Sequence, residues 1–336
     1  MLVGGSADAS HVAILEDGVL VETYVARKSR RSLHGNVYLG KVQNVLKGME
    51  AAFLDIGQPR NAVLYIGEVG ELAREEEVDE GDPTGNKAAS IEQVLQPGQT
   101  VLVQVTKDPM GSKGARLTTE VSLAGRYLVI VPGGAGHGIS RRLDDKERLR
   151  LRDIARRIRP DGFGVIVRTA AEGVEEDELA RDVARLTRLW TEIDGRAQKG
   201  AAPQEIYVEP DLVIRVVRDH FSRDYERLVI EDQTVHDRVK SYLGAVAPDL
   251  AVKVSLHEGA ESLFDAENVT DQMRKALERK VWLSSGGYIV IDRAEALTVI
   301  DVNTGRYVGK TNLEDTVVKT NLEAAKEVVR QLRLRD

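Results

Sequence analysis

A multidomain α/β protein carrying one small β-barrel is the architecture this sequence predicts, and three observations predict it. The chain has 336 residues, against about 150 for an ordinary single domain, so it suits two domains or more. Residues 35–119 break into short strand-like segments separated by glycine or turn residues, the pattern of a small barrel. On either side, β-branched runs alternate with amphipathic helical stretches, the pattern of mixed α/β layers.

The elements follow in order. HVAILEDGVLVETYV, residues 11–25, places two β-branched runs around Glu-Asp-Gly and predicts a hairpin. A basic linker follows at Arg27–Arg31. NVYLGKVQNVL, AAFLDIG and NAVLYIGEV predict the first three barrel strands. A polar, acidic insert at about Glu71–Ser90 predicts a long surface loop or a disordered segment. GQTVLVQVTKD and ARLTTEVSL complete a set that suits a closed barrel of the OB type.

RYLVIVP predicts a strand before the glycine-rich GGAGHGIS. Asp144–Ile158 has helical periodicity in Leu149, Leu151, Ile154, Ala155 and Ile158, and Pro160 stops it. FGVIVRTAAEG reads as a strand ending in a turn, and Glu175–Arg196 as a second amphipathic helix. IYVE and VKVSLHEG read as strands around helical stretches at Asp211–His220 and Thr234–Leu243. Asp265–Lys280 reads as a helix and GGYIVIDRAEALTVIDVNTG as a hairpin. Asn312–Arg335 predicts a last helix, with Asn312 and Asp315 at N-cap and N3 spacing. Its predicted buried stripe is Val318, Leu322, Ala325, Val329 and Leu332. This helix ends the sequence without a cap, glycine or proline, which predicts a truncated chain whose next strand is missing.

Composition narrows the function classes. Hydrophobic residues are 42% and charged residues 30%, ordinary for a soluble globular protein and wrong for a disordered one. No apolar run approaches the roughly 18 residues of a membrane helix. The N-terminus lacks the basic-then-apolar pattern of a signal peptide, so a cytoplasmic location is expected. The absence of cysteine excludes disulfide scaffolds, thiolate zinc sites and cysteine nucleophiles. Net charge is −7, yet the charges are segregated. Arg141–Arg159 is basic and Glu71–Asp82 acidic; each reads either as a solvated face or as a local patch for a partner.

Three places could carry chemistry. In ALTVIDVNTG, Asp301 and Asn303 alternate onto one face at the end of an apolar strand. A carboxylate beside an amide oxygen suits a hard cation such as magnesium; a plain polar strand end is the alternative. Asp292 is the nearest other carboxylate on the preceding strand. In VRTA, Arg168 and Thr169 end a strand at a turn, where an arginine fork, a hydroxyl and backbone N–H groups suit phosphate; a surface arginine is the alternative. On the barrel, Phe53 lies in a strand, with Lys41, Arg60 and Lys113 near strands or turns. An aromatic for stacking with cations for phosphates is how OB folds hold single strands, unless Phe53 is core. The six histidines are scattered, and GGAGHG lacks the lysine of a phosphate loop.

Taken together, GNVYLGKV, MEAAFLDIG, KGARLTTEVSLAGRYLV, GISRRL, GVIVRTA, SGGYIVID, EALTVIDVNTG and TNLEAAKEVVRQLRLRD resemble the catalytic half of the ribonuclease E/G family. These are bacterial endoribonucleases of RNA processing and decay. The segments occur in the family's order and span nearly the whole chain. The resemblance implies a ribonuclease H-like fold made of residues 1–34 and 203–275. Into it would be inserted an OB-type RNA-binding barrel at 35–119 and a sensor of the RNA 5′ end at 120–202. Residues 276–336 would begin a catalytic domain resembling deoxyribonuclease I.

The resemblance also implies roles. Arg168 and Thr169 match binders of a 5′-monophosphate, and Gly125 and Val129 match positions packing against the terminal nucleotide. Phe53 and Lys113 match RNA contacts of the barrel, while the family's second aromatic contact there falls on Val63. Asp301 matches one of two magnesium-binding aspartates, and Asn303 the catalytic asparagine beside it. The second aspartate would follow Asp336, as would the cysteine pair that holds zinc between protomers. The expectation is a magnesium-dependent endoribonuclease acting on single-stranded RNA, homo-oligomeric at full length, with this 336-residue chain inactive or impaired. If the protein naturally ends at Asp336, a non-catalytic RNA-binding protein is the competing expectation.

Overall fold

The computed structural model describes residues 1–6, 9–27, 32–70, 90–134, 136–305 and 313–335. Nearly all of the acidic insert, most of the basic linker and the expected cap Asn312 lie outside them. The chain forms two compact units. The first is Met1–Arg30 with Leu212–Val217 and Phe221–Asp336, and the second is Arg31–Asp211 with Arg218–His220. No helix among the described residues is long and apolar enough to cross a membrane.

Strands β1 (Leu2–Ser6), β2 (Ala9–Glu16) and β3 (Val19–Arg27) form an antiparallel meander. Asp17 and Gly18 join β2 to β3, both with positive φ (50° and 77°), as a two-residue hairpin loop demands. The second unit begins with β4 (Val37–Leu46), β5 (Ala51–Asp55), β6 (Ala62–Tyr65), β7 (Thr100–Lys107) and β8 (Arg116–Thr118). They pair in the order β4-β5-β6-β8-β7, and β7 returns to β4, so the barrel is closed. The β6–β8 pair is parallel and the others are antiparallel. Period-two alternation sends Ala52, Leu54, Ala62, Leu64, Val103 and Leu117 inward, leaving Phe53 and Val63 on the outer face. A barrel of the expected kind is thus present.

A second sheet in this unit uses β9 (Leu123–Ala124), β10 (Leu128–Pro132), β11 (His137–Ile139) and, after helix α1 (Asp145–Ile158), β12 (Phe163–Val167), in the order β11-β12-β10-β9. The side chain of Asp144 caps α1 by accepting from Glu147 N at 2.8 Å. Helix α2 (Glu176–Lys199) buries Leu179, Val183, Leu186 and Ile193 in the same core. Strand β13 (Gln204–Tyr207) then pairs with β4. Part of the basic run is neutralised here: Arg148, Arg150 and Arg157 pair with Asp145, Glu147 and Glu176. That favours the solvated-face alternative for these arginines.

Helix α3 (Leu212–His220) leads back to the first unit. There β14 (Leu228–Ile230) and, after helix α4 (Gln233–Val246), β15 (Val254–Leu256) extend the meander as parallel neighbours, giving the order β15-β14-β1-β2-β3. The helix expected over Asp265–Lys280 is instead two: a turn at Leu263–Ala266 and helix α5 (Val269–Ala276). Asn268 between them is left-handed (φ 55°), which no continuous helix permits. Strands β16 (Lys280–Trp282), β17 (Tyr288–Arg293) and β18 (Thr298–Asn303) form an antiparallel sheet against helix α6 (Leu313–Arg335).

Helix α6 corrects one expectation. Val318, Leu322, Ala325, Val329 and Leu332 face outward, and the buried positions are Thr320, Ala324 and Gln331. Small side chains let this face approach closely: a Cβ on Gly287 would lie 3.1 Å from Thr320 Cγ2. Ser285 N also donates to Glu323 Oε2 at 3.0 Å, which fixes the helix on that side. Replacing Ile289, fully buried under α6, by alanine is therefore expected to cost about 2–5 kcal/mol in urea denaturation. Val329→Ser, on the outward stripe, is expected to stay within about 0.5 kcal/mol.

Candidate functional site

The phosphate-binding candidate is built on the β9–β10 turn and the end of β12. Val129 pairs with Ile166 across β10 and β12, and both lie on the face opposite buried Leu128, Ile130, Val165 and Val167. Arg168 is the next residue on that face. Arg168 N donates to Tyr127 O at 2.8 Å, tying the strand end to the turn. Arg168 Nη1 donates to Gly125 O at 2.8 Å, across 43 residues of sequence. Thr169 Oγ1 lies 2.8 Å from Ser140 Oγ, which in turn accepts from Arg142 N at 3.3 Å. The structure thus brings Gly125, Val129, Arg168 and Thr169 into one place.

Gly125 is required by packing. A Cβ there would lie 2.7 Å from Asp182 Oδ1 and closer still to Oδ2. Asp182, buried on α2, accepts from Tyr127 N at 2.9 Å and pairs with Arg185 at 3.0 Å. The turn is therefore moulded around a carboxylate.

A second set of partners comes from elements distant in sequence. Asp219 on α3 takes Arg168 Nη2 at 2.6 Å and Arg218 Nε at 2.9 Å. Arg218 Nη1 reaches Glu209 at 2.6 Å and Ala124 O at 3.3 Å. Two of the five N–H donors of the Arg168 guanidinium are thus engaged in holding its plane. Burial pushes the Asp219 carboxyl up, but the hydrogen bonds and charges of Arg218 and Arg168 outweigh it and hold it below the usual carboxylate range. A depressed carboxyl contributes stability above its unfolded value of about 3.9, lost as pH falls through the folded value. Asp219→Asn is expected to destabilise the protein at pH 7, with the deficit shrinking as pH falls below the unfolded carboxylate value of about 3.9. Parallel urea-denaturation profiles from pH 7 to 3 would contradict this.

On the barrel, Phe53 pairs with Val63, and Val63 pairs with Arg116 on β8, forming one row on the outer face. Tyr65, two residues beyond Val63, lies on that face too, with the Arg116 guanidinium 5.0 Å from its ring centroid. An aromatic and a cation with no local sequence signal thus flank the position where Val63 stands. Lys113 is exposed on a turn closed by the Met110–Lys113 bridge, and Arg60 donates to Gly111 O on the same turn. Lys41 is exposed on β4 opposite Asp55.

In the first unit, Asp301 and Asn303 share a face of β18, and Asn303 Nδ2 donates to Asp301 Oδ2 at 2.8 Å. The opposite face of the sheet packs on α6 through Ile289, Ile291 and Ile300. Asp292 is held by the Arg279 guanidinium, which keeps its carboxyl below the usual range. Among the described residues, no group of three His, Asp or Glu side chains is placed to hold a metal.

Known proteins are similar to this sequence. A model of the ribonuclease E/G family matches residues 122–336. Ribonuclease G of Escherichia coli is 39% identical over 337 residues, covering 100% of this chain and 68% of that protein. Ribonuclease E of Nostoc sp. is 41% identical over 308 residues, covering 90% of this chain and 43% of that protein. Ribonuclease E of Haemophilus influenzae is 39% identical over 329 residues, covering 97% and 34%.

Proposed function

The chain belongs to the ribonuclease E/G family, and from that premise we propose that it serves as an endoribonuclease of RNA processing and decay. Its substrate is single-stranded RNA, its cofactor magnesium, and a 5′-monophosphate stimulates it. The observation that carries this reading is the Asp301–Asn303 pair, an exposed carboxylate hydrogen-bonded to a half-buried amide on one strand face.

The domain plan is read in the same way. The order β3-β2-β1-β14-β15, antiparallel then parallel, supports a ribonuclease H-like fold shared by residues 1–34 and 203–275. The closed barrel supports an OB-type RNA module at 35–119, with Phe53 and Lys113 as contacts and Tyr65 and Arg116 beside them. Residues 120–202 serve as the 5′-end sensor, and 276–336 begin the deoxyribonuclease I-like part.

Magnesium fits the donors at Asp301. It binds through one or two carboxylates, waters and substrate phosphate oxygens rather than a full protein cage. Asp301 would hold it, and Asn303 would orient the scissile phosphate or the attacking water. When bound, the ion supplies charge at the phosphate and a water activated for attack. A single carboxylate is a thin ligand set, so this chain is expected to cleave slowly or not at all. In the sensor, Arg168 and Thr169 bind the terminal phosphate, Gly125 holds the Arg168 fork through its carbonyl beside the terminal nucleotide, and Val129 walls that nucleotide.

The test is cleavage of a 5′-monophosphorylated, AU-rich, single-stranded RNA with and without magnesium. Cleavage that needs magnesium supports the reading. RNA binding with no cleavage above that of an identically purified Asp301→Ala control would replace it with the non-catalytic RNA-binding alternative.

A further inference from the structure

Trp282 is 63% exposed, an unusual place for the largest apolar side chain when nothing requires it there. Register explains where it stands. Trp282 pairs with Tyr288, and Tyr288 pairs with Asn303, so one row crosses the three strands β16, β17 and β18. In the adjacent row, Lys280 pairs with Val290 and Val290 with Asp301. Directly paired residues, and residues two apart on a strand, share a face. Lys280, Trp282 and Tyr288 therefore lie on the face that carries Asp301 and Asn303. The other face is closed by α6 through Leu283, Ile289 and Ala324, so Trp282 is not a core residue.

The two rings are held. Their centroids are 5.4 Å apart at 63°, and Lys280 Nζ sits 3.9 Å from the Trp282 centroid and 3.6 Å from that of Tyr288. A cation over two ring faces fixes both side chains before any ligand arrives, so ordering them costs little on binding. It also places a positive charge where a polyanion would run. Two strand spacings, roughly 10 Å, separate Trp282 from Asn303, within reach of a nucleotide adjoining a phosphate held at Asp301.

We propose that Trp282, braced by Tyr288 and Lys280, is a stacking subsite for an unpaired RNA base next to the scissile phosphate. The inference rests on the ribonuclease reading above and deepens it. Trp282 offers the base its exposed surface, and Lys280 neutralises the neighbouring phosphate. Stacking of this kind is indifferent to base identity and selects against paired bases, which have no free face.

The chain has two tryptophans, so Trp190→Phe leaves Trp282 as the sole indole emitter. This variant is titrated with a 5′-hydroxyl decauridylate in metal-free buffer, where no cleavage occurs. Anisotropy of a label on the RNA is read alongside. The expected result is saturable quenching of Trp282 that tracks RNA binding, and no quenching by an abasic decamer with the same phosphates. In the otherwise unchanged protein, Trp282→Ala is expected to weaken RNA binding by roughly 5- to 100-fold and Trp282→Phe by much less. RNA bound by anisotropy with Trp282 emission unchanged overturns the subsite and leaves the ribonuclease reading standing. Equal quenching by the abasic decamer overturns stacking in favour of a phosphate contact. No RNA binding at all removes both readings.

Discussion

Asp301→Ala is expected to lower the rate of RNA cleavage by about 10³-fold or more while leaving RNA affinity within a few-fold, because a metal-held phosphoryl centre contributes several kcal/mol to the transition state. The side chain is exposed and anchors no core residue, so the variant should fold. Among the described residues its side chain accepts from Asn303, and losing that bond frees the amide rather than stranding a buried group. Asn303→Asp separates the roles of the pair. It adds a carboxylate beside Asp301, so metal affinity should rise while the amide donor disappears. A drop in kcat with tighter magnesium binding is the expected signature, measured by magnesium titration of single-turnover cleavage. If Asp301→Ala instead retains wild-type rates, the reactive centre lies elsewhere. Asp292, locked to Arg279, is not free to replace it without breaking that ion pair.

Much of the framework was legible because local chemistry forces it. The Asp17–Gly18 turn needs two residues tolerant of positive φ, and Asp-Gly supplies them. The barrel strands were legible as short strands between turns, whereas the face of Phe53 stayed open until the pairing of β5 with β6 set it on the outside. Strand β1 escaped notice: its Gly-Gly-Ser end carries no strand pattern, yet it pairs on both edges within its sheet. The stripe on α6 was read correctly as apolar and wrongly as buried. Periodicity reports that a face is apolar, whereas the face actually packed is chosen by the fit of Thr320 to Gly287 and of Ala324 to Leu283 and Ile289. The candidate sites divide in the same way. Arg168–Thr169 and Asp301/Asn303 are visible because each is a polar pair ending an apolar strand. Asp219 lies 51 residues from Arg168 in sequence, and Tyr65 meets Arg116 only once β6 pairs with β8. Such partners are tertiary facts with no local signal.

The arginine fork yields the second large effect. Arg168→Ala is expected to abolish the preference for a 5′-monophosphate over a 5′-hydroxyl end, bringing the ratio of kcat/KM values close to one. A charge-assisted, two-pronged contact is worth about 1.5–3 kcal/mol, roughly 10- to 100-fold. The effect should fall on the phosphorylated substrate alone, because a hydroxyl end never used the fork. Arg168→Lys makes the stricter test. Lysine keeps the positive charge but is a point donor without the planar fork. It cannot hold the Gly125 carbonyl and Asp219 together, as Arg168 does at 2.8 and 2.6 Å. If sensing is mainly charge, Arg168→Lys keeps most of the preference; if it depends on geometry, the preference is lost nearly as fully as in Arg168→Ala. The ties to Gly125 and Asp219 favour the second outcome, since they fix the guanidinium plane before the phosphate arrives. Asp219→Asn should then weaken the preference less than Arg168→Ala does, because Gly125 still holds one prong. An unchanged preference in Arg168→Ala, with the protein folded, would move the sensor away from this turn.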